Sequence, residues 1–189
     1  MELLTGLFSA FGLSASAGLN AYIPLLIIAL MARFTHWITL SSPWDHLTNG
    51  WVIGTLVFLS LIEFFADKIP AINHLNDLIQ TIVRPIAGAI TFAASANVIT
   101  EISPVLSLVA GLLVAGSVHA VKSVAVRPAV TATTGGAGNI PISILEDIVS
   151  TILSIVSVIV PAVIALAAIT FAIWILTRQR RRSQRARLA

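Results

Sequence analysis

The apolar stretch from about Leu3 to Phe34 contains one charge, Arg33, and is too long for a single upright membrane span. Such a span needs about 20 residues. Two forms accommodate the excess. One is a long, tilted and kinked helix. The other is a half-helix that enters the membrane, breaks near Gly18 and passes into a full helix from Ala21 to Arg33. The run from Gly12 to Gly18, with Asn20 and Pro24 after it, favours the break. Irregular backbone at membrane depth is tolerated only where protein or a wet cavity covers it. Small residues from Ser14 to Gly18 imitate a cleavage site, but the apolar run resumes at once through Met31, so no cleaved signal peptide is expected.

The whole chain has the same character. Hydrophobic residues make up 57% of it and charged residues 10%, against about 25% charged in an ordinary soluble domain. The mean hydropathy is +0.98. A water-soluble fold of this length cannot hide that much apolar surface in one core. Composition therefore excludes a soluble globular domain and a disordered chain. With no cysteine, it also excludes a disulfide scaffold and any thiolate metal site or nucleophile. The expected fold class is an all-α integral membrane protein with about five transmembrane helices, in a range of four to six, and with broken or re-entrant segments.

Residues 35–50 read as a loop, with Trp37, Trp44 and Trp51 suited to the headgroup zone. A second span runs from Trp51 to about Phe65. After Ala71 to His74 comes a helix on which Asp77, Thr81 and Arg84 share one face. Asn73 or Asn76 is expected to cap its start, and Pro85 to kink or end it. The apolar run then continues from Ile86 to about Ile99, up to a boundary at Glu101 and Pro104. Val105 to Val121 is the fourth stretch. Residues 129–142, rich in Gly and Thr, read as a flexible loop. In the last stretch, Ile144 to Leu176, Pro161 separates a first half at the interface or dipping in from a second half that spans. Six of the eleven basic residues follow, from Arg178 to Arg187. This tail is a positive-inside signal that places the C-terminus in the cytoplasm, with anionic lipid heads as a further contact. It has no aromatic interleaving or folded reader, so nucleic acid is not an expected partner. Residues 1–177 form one helical membrane domain and 178–189 the tail.

An internal echo divides that domain. Leu75 to Val83 resembles Leu145 to Leu153, with Asp77 answering Asp147 and Thr81 answering Thr151. Ser16 to Pro24 and Ala96 to Pro104 match more weakly. These pairings suggest two related halves, 1–84 and 85–177. Repeats with broken helices surround midplane sites in many transporters. Shared Leu, Ile and Val composition is the plainer alternative, and duplication is the favoured reading.

In so apolar a chain, the polar groups need an explanation. Glu63 lies within a span, one helical turn before Asp67, so both carboxylates face one side. A charge near hydrocarbon costs several kcal/mol unless it is paired, neutralised or wet. Lys68, Arg84, Lys122 and Arg127 are candidate partners. A structural ion-pair knot and a polar pocket explain them equally. Asp77, Thr81 and Arg84 suit either a helix lying on the membrane or one facing a cavity. Arg84 could grip a phosphate or carboxylate with its planar fork. His119 lies near Lys122 on one face and is read as a packing residue or a proton carrier. Glu63, Asp67, His74, Asp77 and His119 have no zinc or calcium spacing, so neither a metal nor a cofactor is expected. Ser14, Ser16 and Asn20 read as close helix packing, as do Gly111, Ala115, Gly116 and Ala120. No nucleophile–base pair or nucleotide loop stands out, which leaves an enzyme, such as a lipid-modifying one, the least favoured reading.

The runs Glu63-Phe-Phe-Ala-Asp-Lys-Ile-Pro70, His74-Leu-Asn-Asp77 and Thr81-Ile-Val-Arg-Pro85 resemble a family of small bacterial integral membrane proteins, domain of unknown function 4126. Ser16-Ala-Gly-Leu-Asn-Ala-Tyr-Ile-Pro24 is similar to its first motif, in which the place of Asn20 is often arginine. The resemblance covers nearly the whole chain, through about Trp174. It implies a helical protein of the bacterial inner membrane and carries no settled activity. The Gly-rich break before a Pro-containing span is also similar to lipid-carrier translocases with re-entrant hairpins, as an analogy of fold alone.

The leading functional expectation is a small transporter or lipid flippase-like protein for a small or amphiphilic anionic substrate. Its polar site would comprise Glu63, Asp67, Lys68, Asp77 and Arg84, with His119, Lys122, Arg127 and Asp147 from the other half. Carboxylates would bind a cation or proton, and arginines an anionic group. The alternative is a non-transporting scaffold or assembly subunit. Expected partners are membrane lipids and a second copy or another membrane protein.

Overall fold

The structure is a computed structural model that describes residues 2–96, 101 and 103–188; among these, the side chains of residues 2–5, 70–74 and most beyond 161 are outside the description. The metal candidate His74, part of the weaker echo at Ala96 to Pro104 and the tail arginines beyond Arg178 therefore lie outside the described side chains.

The described residues form helices α1 (Glu2–Leu19), α2 (Tyr22–Phe34), α3 (Gly50–Ala66), α4 (Pro70–Ser95), α5 (Pro104–Val121), α6 (Arg127–Thr134) and α7 (Asn139–Leu188), with no strand among them. Three segments are long and apolar enough to cross a membrane: Leu75–Ser95, Pro104–Thr134 and Asn139–Pro161. Three shorter apolar helices accompany them: Gly6–Leu19, Tyr22–Phe34 and Gly50–Ala66. The outer flanks carry exposed Leu75, Leu78, Ile79 and Ile82 on α4, and Val105, Val109, Leu112 and Leu113 on α5. Water would disfavour such a surface, whereas hydrocarbon would not.

Helix α1 is the central post. Its small residues let three helices approach closely. Ser14 Oγ reaches the carbonyls of Gly88 on α4 (3.1 Å) and Gly111 on α5 (2.8 Å). Ser16 Oγ bonds the Ser150 carbonyl (2.8 Å) and the Ser154 hydroxyl (2.6 Å) on α7. A Cβ on Gly111 would meet the Gly88 carbonyl, Ala89 and Phe92 inside contact distance. Glycine there sets how closely α4 and α5 can pack.

The break expected near Gly18 falls at Asn20. The Asn20 side-chain oxygen accepts from the backbone N–H groups of Tyr22 and Ile23, both at 3.1 Å, and so restarts the helix as α2. Ile28 of α2 then joins Leu13, Ala94 and Val158 in one core cluster, so α2 doubles back along the bundle. Helices α1, α3 and α5 run one way, and α2, α4 and α7 the other.

Four local expectations are corrected. Helix α4 does not end at Pro85 but runs through it to Ser95, with the Pro85 ring lying beside Gly116 of α5. It begins at Pro70, so no Asn caps its start, and Asn76 has another partner. The flexible loop expected at 129–142 is helical through Thr134 and again from Asn139. The reversal needs only residues 135–138, where Gly135 and Gly136 take φ of +62° and +91°. Helix α7 is continuous through Pro161, and its first half packs on α1 within the bundle.

Replacing Gly111 with Val is expected to lower the melting temperature in detergent markedly, because α4 and α5 must separate. Replacing Gly54, whose Cβ would meet nothing within 4 Å, with Ala is expected to change stability by no more than about 1 kcal/mol in the favourable direction. Equal melting shifts for the two substitutions would refute this packing role.

Candidate functional site

Five carboxylates and four cations meet at one end of the bundle, where α1, α3, α5 and its continuation stop and α4 and α7 begin. Arg84 is fully buried. Its Nε and Nη2 donate to Glu63 Oε1 at 3.3 and 2.9 Å, and Nη2 lies 3.7 Å from Asp67. Arg84 Nη1 meets His119 Nδ1 at 3.2 Å. A guanidinium can only donate, so this ring nitrogen accepts, which puts the His119 proton on Nε2, facing Thr81 at 3.2 Å. His119 is therefore neutral in this arrangement.

Arg127 binds three carboxylates. Its Nη1 donates to Asp77 (2.9 Å), and its Nη2 is shared by Asp67 (3.1 Å) and Glu146 (3.2 Å). Asp67 also accepts from Asn76 (2.6 Å) and Ser143 (3.3 Å). Lys122 lies 2.7 Å from Glu146 and donates to the carbonyl of Leu19, at the end of α1, at 3.0 Å. That carbonyl has no helical partner of its own past the break.

The backbone explains how Lys122 and Arg127 reach the same Glu146 oxygen. Five residues apart on an α-helix, they would point about 140° apart at 100° per residue. Residues Lys122–Val126 instead form a π-turn, closed by the Arg127 N–H on the Lys122 carbonyl. The wider turn brings both cations to the inner side.

A second pair adjoins the first cluster. Lys68 Nζ donates to Asp147 (3.0 Å) and to the Phe64 carbonyl (2.9 Å), and sits 3.5 Å over the Phe64 ring. Asn20, having capped α2 with its oxygen, donates its amide to Asp147 at 3.0 Å. The two echoing segments are thus cross-braced. Asp77 of the first pairs with Arg127, and Asp147 of the second pairs with Lys68. Thr81 and Thr151 each donate to the aspartate carbonyl one turn earlier, both at 2.8 Å.

Asp67 lies in the turn between α3 and α4. Burial would push its carboxyl up, but Lys122, Arg127 and Arg84, with the Asn76 hydrogen bond, outweigh that and hold it below the ordinary aspartate value.

All nine residues singled out from the sequence gather at this end. Arg84 has no donor turned toward open space. Glu146, Asn76, Ser143 and the second role of Asn20 were not foreseen. A signal for the α7 residues exists: Ser143, Asp147, Ser150, Ser154 and Ser157 recur at alternating intervals of four and three and are all buried. That is a polar stripe on one helix face. Between α5 and α7 runs an open, almost wholly apolar groove of about 450 Å³. Val118, Val121, Leu145 and Val149 line it, with the buried Lys122 and Glu146 beneath them.

The model of one family, described as domain of unknown function (DUF4126), matches residues 7–181, and the chain belongs to that family. No curated protein matches it, and no solved structure does.

The lowered Asp67 value has a definite sign. Its contribution to stability is complete above the unfolded aspartate pKa of about 3.9 and is lost as pH falls through the lower folded value. Thermal melts across the acid range should show Asp67→Asn less stable at neutral pH and less sensitive to pH below about 4. An unchanged acid limb would contradict the assignment.

Proposed function

We propose that the protein is a small membrane-embedded transporter or lipid flippase-like protein. It takes an amphiphile with an anionic head sideways from the bilayer into the groove between α5 and α7. The observation that carries this is the position of the Lys122–Glu146 ion pair beneath an otherwise apolar groove. An apolar body would lie along Val118, Val121, Leu145 and Val149. An anionic head would compete with Glu146 for Lys122. The closed ion network would act as the gate the head must open, and the cross-bracing of Asp77 and Asp147 supports a reading as two related halves.

The alternating directions of six helices favour six crossings, at the upper end of the expected range. The start of α1 and the far part of α7 then lie on one face. The arginine-rich tail makes that face cytoplasmic in a bacterial inner membrane, and the charged network lies toward the other face.

A second reading, a non-transporting scaffold, is favoured by one observation: Glu63 and Arg84 form a closed pair with no exposed surface on Arg84. Reconstitution separates the two. Liposomes containing the protein and a fluorescent analogue of phosphatidylglycerol are expected to expose the inner-leaflet probe to an external quencher faster than empty liposomes. Val118→Trp, which fills the groove, is expected to remove the excess rate while leaving the protein monodisperse. An excess rate unaffected by Val118→Trp would reject the groove. No excess rate, together with stoichiometric co-purification of another membrane protein, would favour the scaffold.

A further inference from the structure

We infer that Glu63 is a proton-binding site whose carboxyl carries an exchangeable proton inside the bundle. The inference goes beyond transport and rests on the network's geometry alone. It holds whether or not the groove admits an amphiphile.

The first observation is the charge balance. Among the described residues, Glu63, Asp67, Asp77, Glu146 and Asp147 pair with Lys68, Arg84, Lys122 and Arg127 alone. His119 adds no charge, because its Nδ1 accepts from Arg84. Fully ionised, the cluster would hold one uncompensated negative charge in a largely desolvated site. Neutralising a group is the usual outcome when such a charge has no partner.

The second observation shows where the proton sits. Asp67 accepts from Asn76, Ser143 and Arg127. Glu146 has Lys122 and Arg127, and Asp147 has Lys68 and Asn20. Asp77 holds Arg127 and is the most exposed of the five. Glu63 differs from all of them. It is 1% exposed, its one cation is shared with Asp67, and it uses only Oε1. Its Oε2 is buried and meets no hydrogen-bond partner among the described residues; Asp77 Oδ1 also lacks one, but the Asp77 side chain is 23% exposed and holds Arg127 through its other oxygen. Gln80 Oε1 is a further buried acceptor without a partner among the described residues. Tyr22 lies beside both, hydrogen-bonded to Gln80 and facing Glu63. The other groups facing Glu63 are Asp67 at the end of its own helix, Arg84 from α4 and Lys122 from α5.

A proton on Oε2 fits this arrangement. It turns that buried acceptor into a donor, while Oε1 goes on accepting from Arg84 as a carbonyl oxygen. The step is one bound proton and one negative charge removed. A metal cation fits less well, because hard cations take about six or more oxygen ligands, and no group of three or more acidic, His or Cys side chains among the described residues could hold one.

Infrared difference spectroscopy of the full chain in lipid, titrated with acid and base, tests this without any substrate. At neutral pH the wild type should show the C=O stretch of a protonated carboxyl, lost reversibly at alkaline pH. Glu63→Gln should lose the band, and Asp67→Asn, which removes the excess negative charge, should shift its loss to lower pH. Absence of the band in the wild type, or its persistence in Glu63→Gln, would overturn the inference. Should Glu63→Gln fail to fold, Glu63→Asp keeps the acid and must move the band; an unmoved band would overturn the inference equally. A flipping assay that fails while this band behaves as expected would reject only the transport reading.

Discussion

An arginine with no exposed surface, set among apolar helices, can exist only if its charge is met, and the architecture follows from how Arg84 is met. Glu63 comes from α3, His119 from α5 and Asp67 from the turn before α4. Asp67 is itself shared, so the pairing spreads through it to Arg127, Glu146 and Lys122 and thereby to α7 and the end of α1. Removing one partner from a buried pair costs about 3–5 kcal/mol, because the remaining charge is stranded. Apolar side chains alone would not fix these helices in register, since one Leu-rich flank packs on another almost as well at several offsets. The ion network, the Gly88–Gly111 approach and the serine bonds of α1 supply the register.

The network and the groove touch at Lys122 and Glu146 alone among the named pairs. Under the proposed function this contact is where an amphiphile's head would disturb the ions. It is also where the backbone departs from a regular α-helix. The π-turn holds two cations on one oxygen of Glu146, so an event at the groove that draws Lys122 away leaves Arg127 still in place. Asn20 has a comparable double role on the other side, closing the broken helix with its oxygen and holding Asp147 with its amide.

Much of this was legible in the sequence, and the reason is scarcity. In a chain with so few charges, those within apolar runs had to find one another, and Glu63, Asp67, Asp77, Arg84, His119, Lys122, Arg127, Lys68 and Asp147 all do. Helical spacing put Asp77, Thr81 and Arg84 on one face of α4, and Leu75, Leu78, Ile79 and Ile82 of the same helix are exposed. Backbone details followed less well. Proline inside a helix always forgoes one backbone hydrogen bond, yet α4 runs on through Pro85, so the residue marked no end of the helix. The Thr-rich stretch after Arg127 looked like a loop by composition, yet Thr133 and Thr134 bond back to their own helix and carry it to Gly135. Glu146 was missed because Asp147 beside it answered the echo, and only the π-turn, invisible to a fixed helical period, makes it the meeting point of two cations.

The central claim is that these charges form one coupled unit rather than separate pairs. A double-mutant cycle between Arg84→Leu and Arg127→Leu tests it most directly. The two arginines are not bonded to each other, but Asp67 joins them. Unfolding free energies measured in one detergent are predicted to be non-additive by more than about 0.5 kcal/mol, the usual scatter for independent sites. Additivity within that scatter would contradict the account.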